Sequence, residues 1–294
     1  MTDRQRVLVT GAGGYIGRHV VTALLDRGAY VVAADRRPAE RQDGHFDPRA
    51  EVLGIDVLDP TADVYAAAGA PDIVVHLAWE SGFVHSAPAH MLRLSDHYRL
   101  ITELVGAGVR HVVGLGSMHE VGYFEGAVPE DAPTNPQSLY GVAKDALRRS
   151  LTLFADREDV VFQWLRCFYI YGDDSYNRSI FTYLRDAAEA GRKTFPFTSG
   201  TNRFDFIRVE DLATQIATAS LQSEATGVIN CGTGSPVSLG DQVERYIAEH
   251  GYSIELEYGA YPDRPYDSPA IWADTRTIEG IMRAAAAGKA DTPG

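Results

Sequence analysis

The stretch Val7 to Leu25, VLVTGAGGYIGRHVVTALL, passes from a β-branched apolar run through spaced glycines into a run of helical period. Gly11, Gly14 and Gly17 fall between the expected strand and the expected helix. Glycines so placed allow a tight turn, close approach of the backbone to a pyrophosphate, and close helix packing, with the first helical amides aimed at the anion. A plain turn before a helix needs only one or two glycines, so the triplet gains its weight from context. That context is present: a second apolar run, YVVAAD, follows and ends at Asp35.

Outward from this unit the same alternation continues. RVLVT, YVVAAD, AEVLGID, DIVVHLA, HVVGLGS and VVFQWLR are separated by segments of helical composition. Their apolar character on both faces predicts parallel strands covered by helices, hence an α/β doubly wound parallel sheet. Regular alternation ends near Arg166, which sets a dinucleotide-binding region at residues 1–168. A smaller α/β region follows at 169–203 and 234–294, and the chain returns to the first sheet at about 204–233 through GVINCG. The junction of the two regions is the expected ligand cleft.

Bulk properties narrow the function. A chain of 294 residues buries ample core without a staple, and its net charge of -13 excludes a general nucleic-acid binder, which needs a basic face. Cys167 and Cys231 each lie in an apolar segment and read as buried reduced thiols, with no metal site expected. No apolar run approaches the ~20 residues of a membrane span, and MTDRQRVLVTG enters a strand at once. A cytoplasmic protein is the expectation.

Asp35 stands where a carboxylate accepts hydrogen bonds from the adenosine ribose, which favours NAD. Arg36 and Arg37 follow directly and suit a 2'-phosphate, which favours NADP, so both cofactors stay open. Asp56, closing the third strand, either meets the adenine amino group or caps the strand end. In SLYGVAKDALRRS, Tyr140 and Lys144 share one helix face at a spacing of four. A phenol titrating at ~10 is a poor acid–base group at neutral pH, but a neighbouring ammonium and a nicotinamide cation stabilise its phenolate.

TGAGGYIG, HLA after the fourth strand, a serine on the fifth and YGVAK together resemble the extended short-chain dehydrogenase/reductase family, with its Rossmann-type sheet and its nucleotide-sugar epimerases, dehydratases and ketoreductases. LRCFYIYG, RFDFIRVEDLA and DRPYD with ADT are similar to later segments of that family, so the likeness spans nearly the whole chain. The resemblance implies Tyr140, Lys144 and Ser117 as catalytic residues. It places Tyr15, Ile16, Val57, Leu77 and Ala78 with the glycines, Asp35, Arg36 and Asp56 around NAD(P)H. It also implies a nucleotide-diphosphate sugar as substrate, with Arg203 and Arg264 on the diphosphate, and a homodimer formed through the helices near 91–105 and 140–154.

The choice of reaction turns on the fifth-strand exit, GSMHEVGY. A 4,6-dehydratase needs two acidic groups there, a base for C5 and an acid for the departing hydroxyl. Here Met118 and His119 interrupt that pattern, Glu120 is retained, and Ser117 supplies a hydroxyl. His119, Glu120, Trp79 and Tyr169 are the candidate sugar contacts, Tyr169 replacing an asparagine common in relatives. Ketoreduction asks least of such a loop. An NDP-4-keto-6-deoxyhexose 4-ketoreductase of deoxysugar biosynthesis is the expectation; the alternatives are an epimerase or dehydratase that retains NAD, and a non-catalytic dinucleotide sensor.

Overall fold

The computed structural model describes residues 4–172, 177–263 and 268–290, with side chains to 288. The first half runs β1 (Arg6–Thr10), α1 (Gly17–Leu25), β2 (Tyr30–Asp35), β3 (Glu51–Gly54), α2 (Val64–Ala67), β4 (Ile73–His76), α3 (Ala89–Leu92), α4 (Leu94–Ala107), β5 (His111–Ser117), β6 (Gly126–Val128), α5 (Leu139–Glu158) and β7 (Val161–Cys167). The second half adds β8 (Tyr169–Tyr171), α6 (Ile180–Glu189), β9 (Thr194–Pro196), β10 (Arg203–Phe204), β11 (Phe206–Arg208), α7 (Val209–Ser220), β12 (Gly227–Cys231), β13 (Val237–Ser238), α8 (Leu239–His250), β14 (Glu255–Glu257), β15 (Ala270–Ala273) and α9 (Arg276–Ala290).

Seven strands form one parallel sheet in the order β12-β7-β5-β4-β1-β2-β3. Alternation along β1 explains its double burial: Val7 and Val9 pack with α1 and α7, while Leu8 points to the other face and packs with α4 and α5. Strand order reverses between β1 and β4, and ligands of such sheets lie beyond the carboxyl ends of the strands at that reversal. Thr10, Asp35, His76, Ser117 and Cys167 are the last residues of their strands and rim this crevice.

The expected return of GVINCG to the sheet is seen in β12, which pairs with β7 and puts Cys231 opposite Cys167. Both thiols are free and buried. A second sheet, β13-β10-β15-β6, takes one strand, β6, from the 1–168 stretch. RFDFI divides between two sheets, β10 joining β15 and β11 joining β8. The residue at the division, Asp205, is buried and accepts from the backbone amides of Thr233 (2.8 Å), Gly234 (2.9 Å) and Ala273 (3.0 Å). A separate aromatic core of Phe168, Phe181, Phe197, Phe204, Phe206 and Tyr246 fills this side of the molecule. Among the described residues no helix is long and apolar enough to cross a membrane.

Candidate active site

The glycine turn is built against the loop after β4. Gly11 has φ +68°, and a Cβ there would lie 2.7 Å from the Ala78 backbone, so the position admits only glycine without movement. Gly14 donates its amide to Gly11 O at 2.9 Å, which closes the turn before α1. Tyr15 reaches across and donates its hydroxyl to Gly172 O at 2.8 Å, while Ile16 is the N-cap of α1 and packs on the core. A cleft runs from this turn past Asp35, Arg36, Asp56, Val57, Leu77 and Ala78 to Trp79. Gly11, Gly14, Asp35, Arg36, Asp56, Val57, Leu77 and Ala78, among the residues expected from sequence to hold a dinucleotide, thus line one groove. Its bare backbone turn at a helix N-terminus and its terminal carboxylate suit a pyrophosphate and a ribose.

Arg41, which no sequence signal singled out, also lines this groove and forms a 2.7 Å ion pair with Asp35. Asp35 accepts a second bond from the Arg37 amide at 2.8 Å. Gly13 has no side chain at this point because a Cβ would run into the Asp35 carboxylate. Asp56 accepts from the Leu58 amide at 3.1 Å, so it caps the strand exit and faces the groove at once.

At the other end of the groove, Ser138 caps α5 by accepting from Gly141 N at 3.1 Å, and this fixes Tyr140 and Lys144 on successive turns. Lys144 is buried and donates to Leu115 O at 2.7 Å. Burial pulls its ammonium down to about 8. Tyr140 moves the opposite way: burial raises its phenol well above the usual range, against an opposing hydrogen bond with Ser117. The phenolate expected from sequence depends on a nicotinamide cation as well as on Lys144; in the chain alone burial dominates, the Ser117 hydrogen bond opposes it, and Tyr140 keeps its proton.

Ser117 ends β5, caps the short 3-10 turn Met118–Glu120 by accepting from His119 N at 3.3 Å, and meets Tyr140 through the bond just described. His119 lies beside Tyr140, 6.0 Å between rings, and edges onto His85 at 4.3 Å. Burial drops its imidazole to about 4, so it is neutral. His85 stacks on Tyr140 at 5.1 Å, and its carbonyl accepts the Tyr140 amide at 3.0 Å.

Glu120 does not face the groove, and its expected place among the sugar contacts is corrected. Its side chain is 0% exposed and turns into the core. There it accepts from the Ser117 amide at 2.6 Å and from Trp164 Nε1 at 3.0 Å, with Arg148 at 3.6 Å and Arg166 at 3.9 Å. Serine at the cap and glutamate three residues on form a reciprocal capping box, which is why the carboxylate turns inward. Tyr169 stacks on Phe204 at 4.2 Å in the aromatic core, half-buried. Arg203 is exposed and donates to Pro236 O at 2.9 Å. Arg264 lies outside the described residues.

Residues 7–232 match the model of the NAD dependent epimerase/dehydratase family. The chain belongs to that family. It is 37% identical over 275 residues to the dTDP-6-deoxy-L-talose 4-dehydrogenase (NAD(+)) of Aggregatibacter actinomycetemcomitans, covering 90% of this chain and 98% of that protein. It is 28% identical to the UDP-glucose 4-epimerase of Mycolicibacterium smegmatis, over 92% of this chain and 88% of the relative. Among solved structures it is similar to MoeE5 in complex with UDP-glucuronic acid and NAD, with a TM-score of 0.78 and 30% identity across 95% of this chain and 92% of that one.

Membership in the NAD-dependent epimerase/dehydratase family makes this chain an enzyme of the extended short-chain dehydrogenase/reductase type, with a nicotinamide dinucleotide as cofactor. Three parts of the family site were hidden in the sequence: Arg41, the inward turn of Glu120, and the imidazoles of His76, His90 and His97 grouped behind Trp79. Each depends on which strand ends meet, which spacing alone does not report.

Proposed function

We propose that the enzyme reduces the 4-keto group of a nucleotide-activated 4-keto-6-deoxyhexose, using NADH or NADPH. The observation that carries this reading is the direction of Glu120. With its carboxylate engaged by Ser117, Trp164 and the arginines of the core, the fifth-strand exit presents only Ser117 and a neutral His119 beside Tyr140. Elimination across C5 and C6 needs a base and an acid at that place; reduction needs one proton donor. The 37% identity to a 4-dehydrogenase supports the same reading, because oxidation at C4 and reduction of a 4-ketone are one reaction in opposite directions.

In this reading the amides around Gly11, Gly14 and Gly17 hold the pyrophosphate, Asp35 the ribose hydroxyls and Asp56 the adenine. Lys144 holds the nicotinamide ribose. The bound cofactor supplies the hydride. Tyr140 gives its proton to the ketone oxygen as the alcohol forms, and Ser117 donates a hydrogen bond to that oxygen. Trp79 and His119 border the sugar, and Arg203 with Arg264 takes the diphosphate. A homodimer is supported by the apolar side chains that α3, α4 and α5 leave exposed, Leu92, Tyr98 and Leu153 among them. Cytoplasmic location fits the reduced thiols and the nucleotide-linked substrate.

Purified protein given a dTDP-4-keto-6-deoxyhexose should oxidise NAD(P)H in a one-to-one ratio with product. Bound NAD that cycles with no net oxidation would make the protein an epimerase or dehydratase, and binding without product would make it a sensor. Because Lys144 is pulled down to about 8, its charge is present below that pH and lost above it. We expect kcat for reduction to fall as pH rises through about 8. A midpoint above 10 would mean that Lys144 keeps its ordinary ionisation.

Cofactor choice should follow Arg41. Its pairing with Asp35 leaves one guanidinium beside the ribose that can turn from the carboxylate to a 2'-phosphate. Arg41→Ala should raise KM for NADPH about tenfold while leaving KM for NADH within about threefold, as judged by steady-state kinetics with each cofactor. Equal losses with both would place Arg41 outside cofactor discrimination.

A further inference from the structure

Lys144 has a neighbour that the catalytic reading leaves unexplained. Its ammonium lies 3.8 Å from the centre of the Trp79 ring, against 5.9 Å from the rings of Tyr140 and Trp164. His97 stacks on the same indole at 4.4 Å and an interplanar angle of 15°. Trp79 is thus packed by a cation and by an imidazole at once. The indole is also fixed in its plane: Nε1 donates to His90 Nδ1 at 3.0 Å, and His90 Nε2 donates to Val84 O at 2.9 Å.

Behind this layer a line of hydrogen bonds leads back to the glycine turn. Thr10 Oγ1 accepts from the amides of Leu77 and Ala78, each at 3.2 Å, so its proton is directed to His76 Nδ1 at 2.8 Å. His76 Nε2 then donates to His97 Nδ1 at 2.8 Å. Every proton in the line is assigned with both imidazoles neutral, and burial keeps them so, dropping His76 to about 3 and His97 to about 2. A neutral stack behind Trp79 leaves the π face towards Lys144 unopposed; a charged imidazole there would repel the ammonium.

We propose that Trp79, pinned by His90 and His97, is the positioning residue for Lys144, its indole face holding the ammonium charged at its place beside Tyr140. The inference rests on the assignment of Lys144 to the catalytic group. A buried lysine tends to shed its proton. The indole opposes this through its quadrupole without adding a carboxylate that would compete for the ammonium. This role is additional to bordering the sugar, since here Trp79 acts through Lys144. The other titratable groups around this ammonium are Glu120, which favours its charge, and Cys167, kept a neutral thiol by burial, with His76 and His97 neutral and Tyr140 protonated.

The test measures the Lys144 ionisation directly. In the full cofactor-free chain, the 13Cε resonance of Lys144, assigned by its loss in Lys144→Met, is titrated by NMR. Site-specific replacement of Trp79 by tetrafluorotryptophan keeps the shape of the indole and drains its face of negative charge. The midpoint should fall by about one pH unit, a tenfold loss of proton affinity, and Trp79→Leu should shift it in the same direction. Trp79→Phe, which retains an aromatic face, should recover at least half of the shift. With NADH and a 4-keto sugar, the alkaline limb of kcat should move by the same amount in the fluorinated protein. A midpoint unmoved by fluorination would overturn the proposal, whatever Trp79→Leu does to folding. A shifted midpoint in a protein that reduces no 4-keto sugar would leave the platform standing and remove the functional reading instead.

Discussion

Tyr140→Phe is expected to lower kcat for reduction by about 10²- to 10⁴-fold, while the dissociation constant for the cofactor changes less than threefold. The substitution removes a single oxygen. Yet that oxygen carries the proton that this reading delivers to the ketone, with Ser117 contributing a hydrogen bond alone. Burial raises the phenol, so at neutral pH the residue stands fully loaded as a donor, and the ring packing of His85 against it is kept by phenylalanine. Stopped-flow measurement of the hydride step, with cofactor affinity taken from fluorescence, checks both halves. A variant that retains near-normal kcat would remove Tyr140 from the chemistry.

The second large effect concerns stability. Glu120→Ala should cost about 3–5 kcal/mol, because it leaves Arg166, 1% exposed, without its opposing carboxylate and leaves the Ser117 amide and the Trp164 indole without an acceptor. Glu120→Gln should cost distinctly less, since its amide oxygen can still accept from Ser117. Urea unfolding followed by circular dichroism gives both values. A loss below 1 kcal/mol in the alanine variant would mean that the buried charges find other partners. The same substitution should disturb catalysis through Ser117, whose cap the carboxylate completes, and through Lys144, whose charge it favours.

The fold was legible where local chemistry and global arrangement agree. Val7 to Leu25 announces strand, turn and helix, and the apolar runs to Arg166 become the strands of one parallel sheet. What failed to show was anything decided by a neighbour distant in sequence. GSMHEVGY offered a carboxylate to the groove, but a capping box and Trp164, 44 residues on, claimed it for the core. Asp35 appeared as a bare ribose acceptor beside Arg36 and Arg37, whereas Arg41 closes on it from a loop with no periodic signature. The phenol of Tyr140 was expected to be acidified by Lys144 together with a nicotinamide cation; the depth of both side chains was invisible, and in the cofactor-free chain depth raises one and lowers the other. Thr10, His76 and His97 form a line only because β1 and β4 are adjacent across the reversal of strand order.

Asp205 bears on how the enzyme moves. One carboxylate gathers the chain leaving β12 at Thr233 and Gly234 and the strand β15 at Ala273, while its own carbonyl receives the amide of Tyr169. Any hinge between the large sheet and the smaller one would have to break these bonds together at a site sealed from water. The joint therefore behaves as a rivet rather than an axle. Adjustment to ligands of different size then falls to the loops that rim the groove, such as the one carrying Trp79 and Glu80, which can change without loosening the frame.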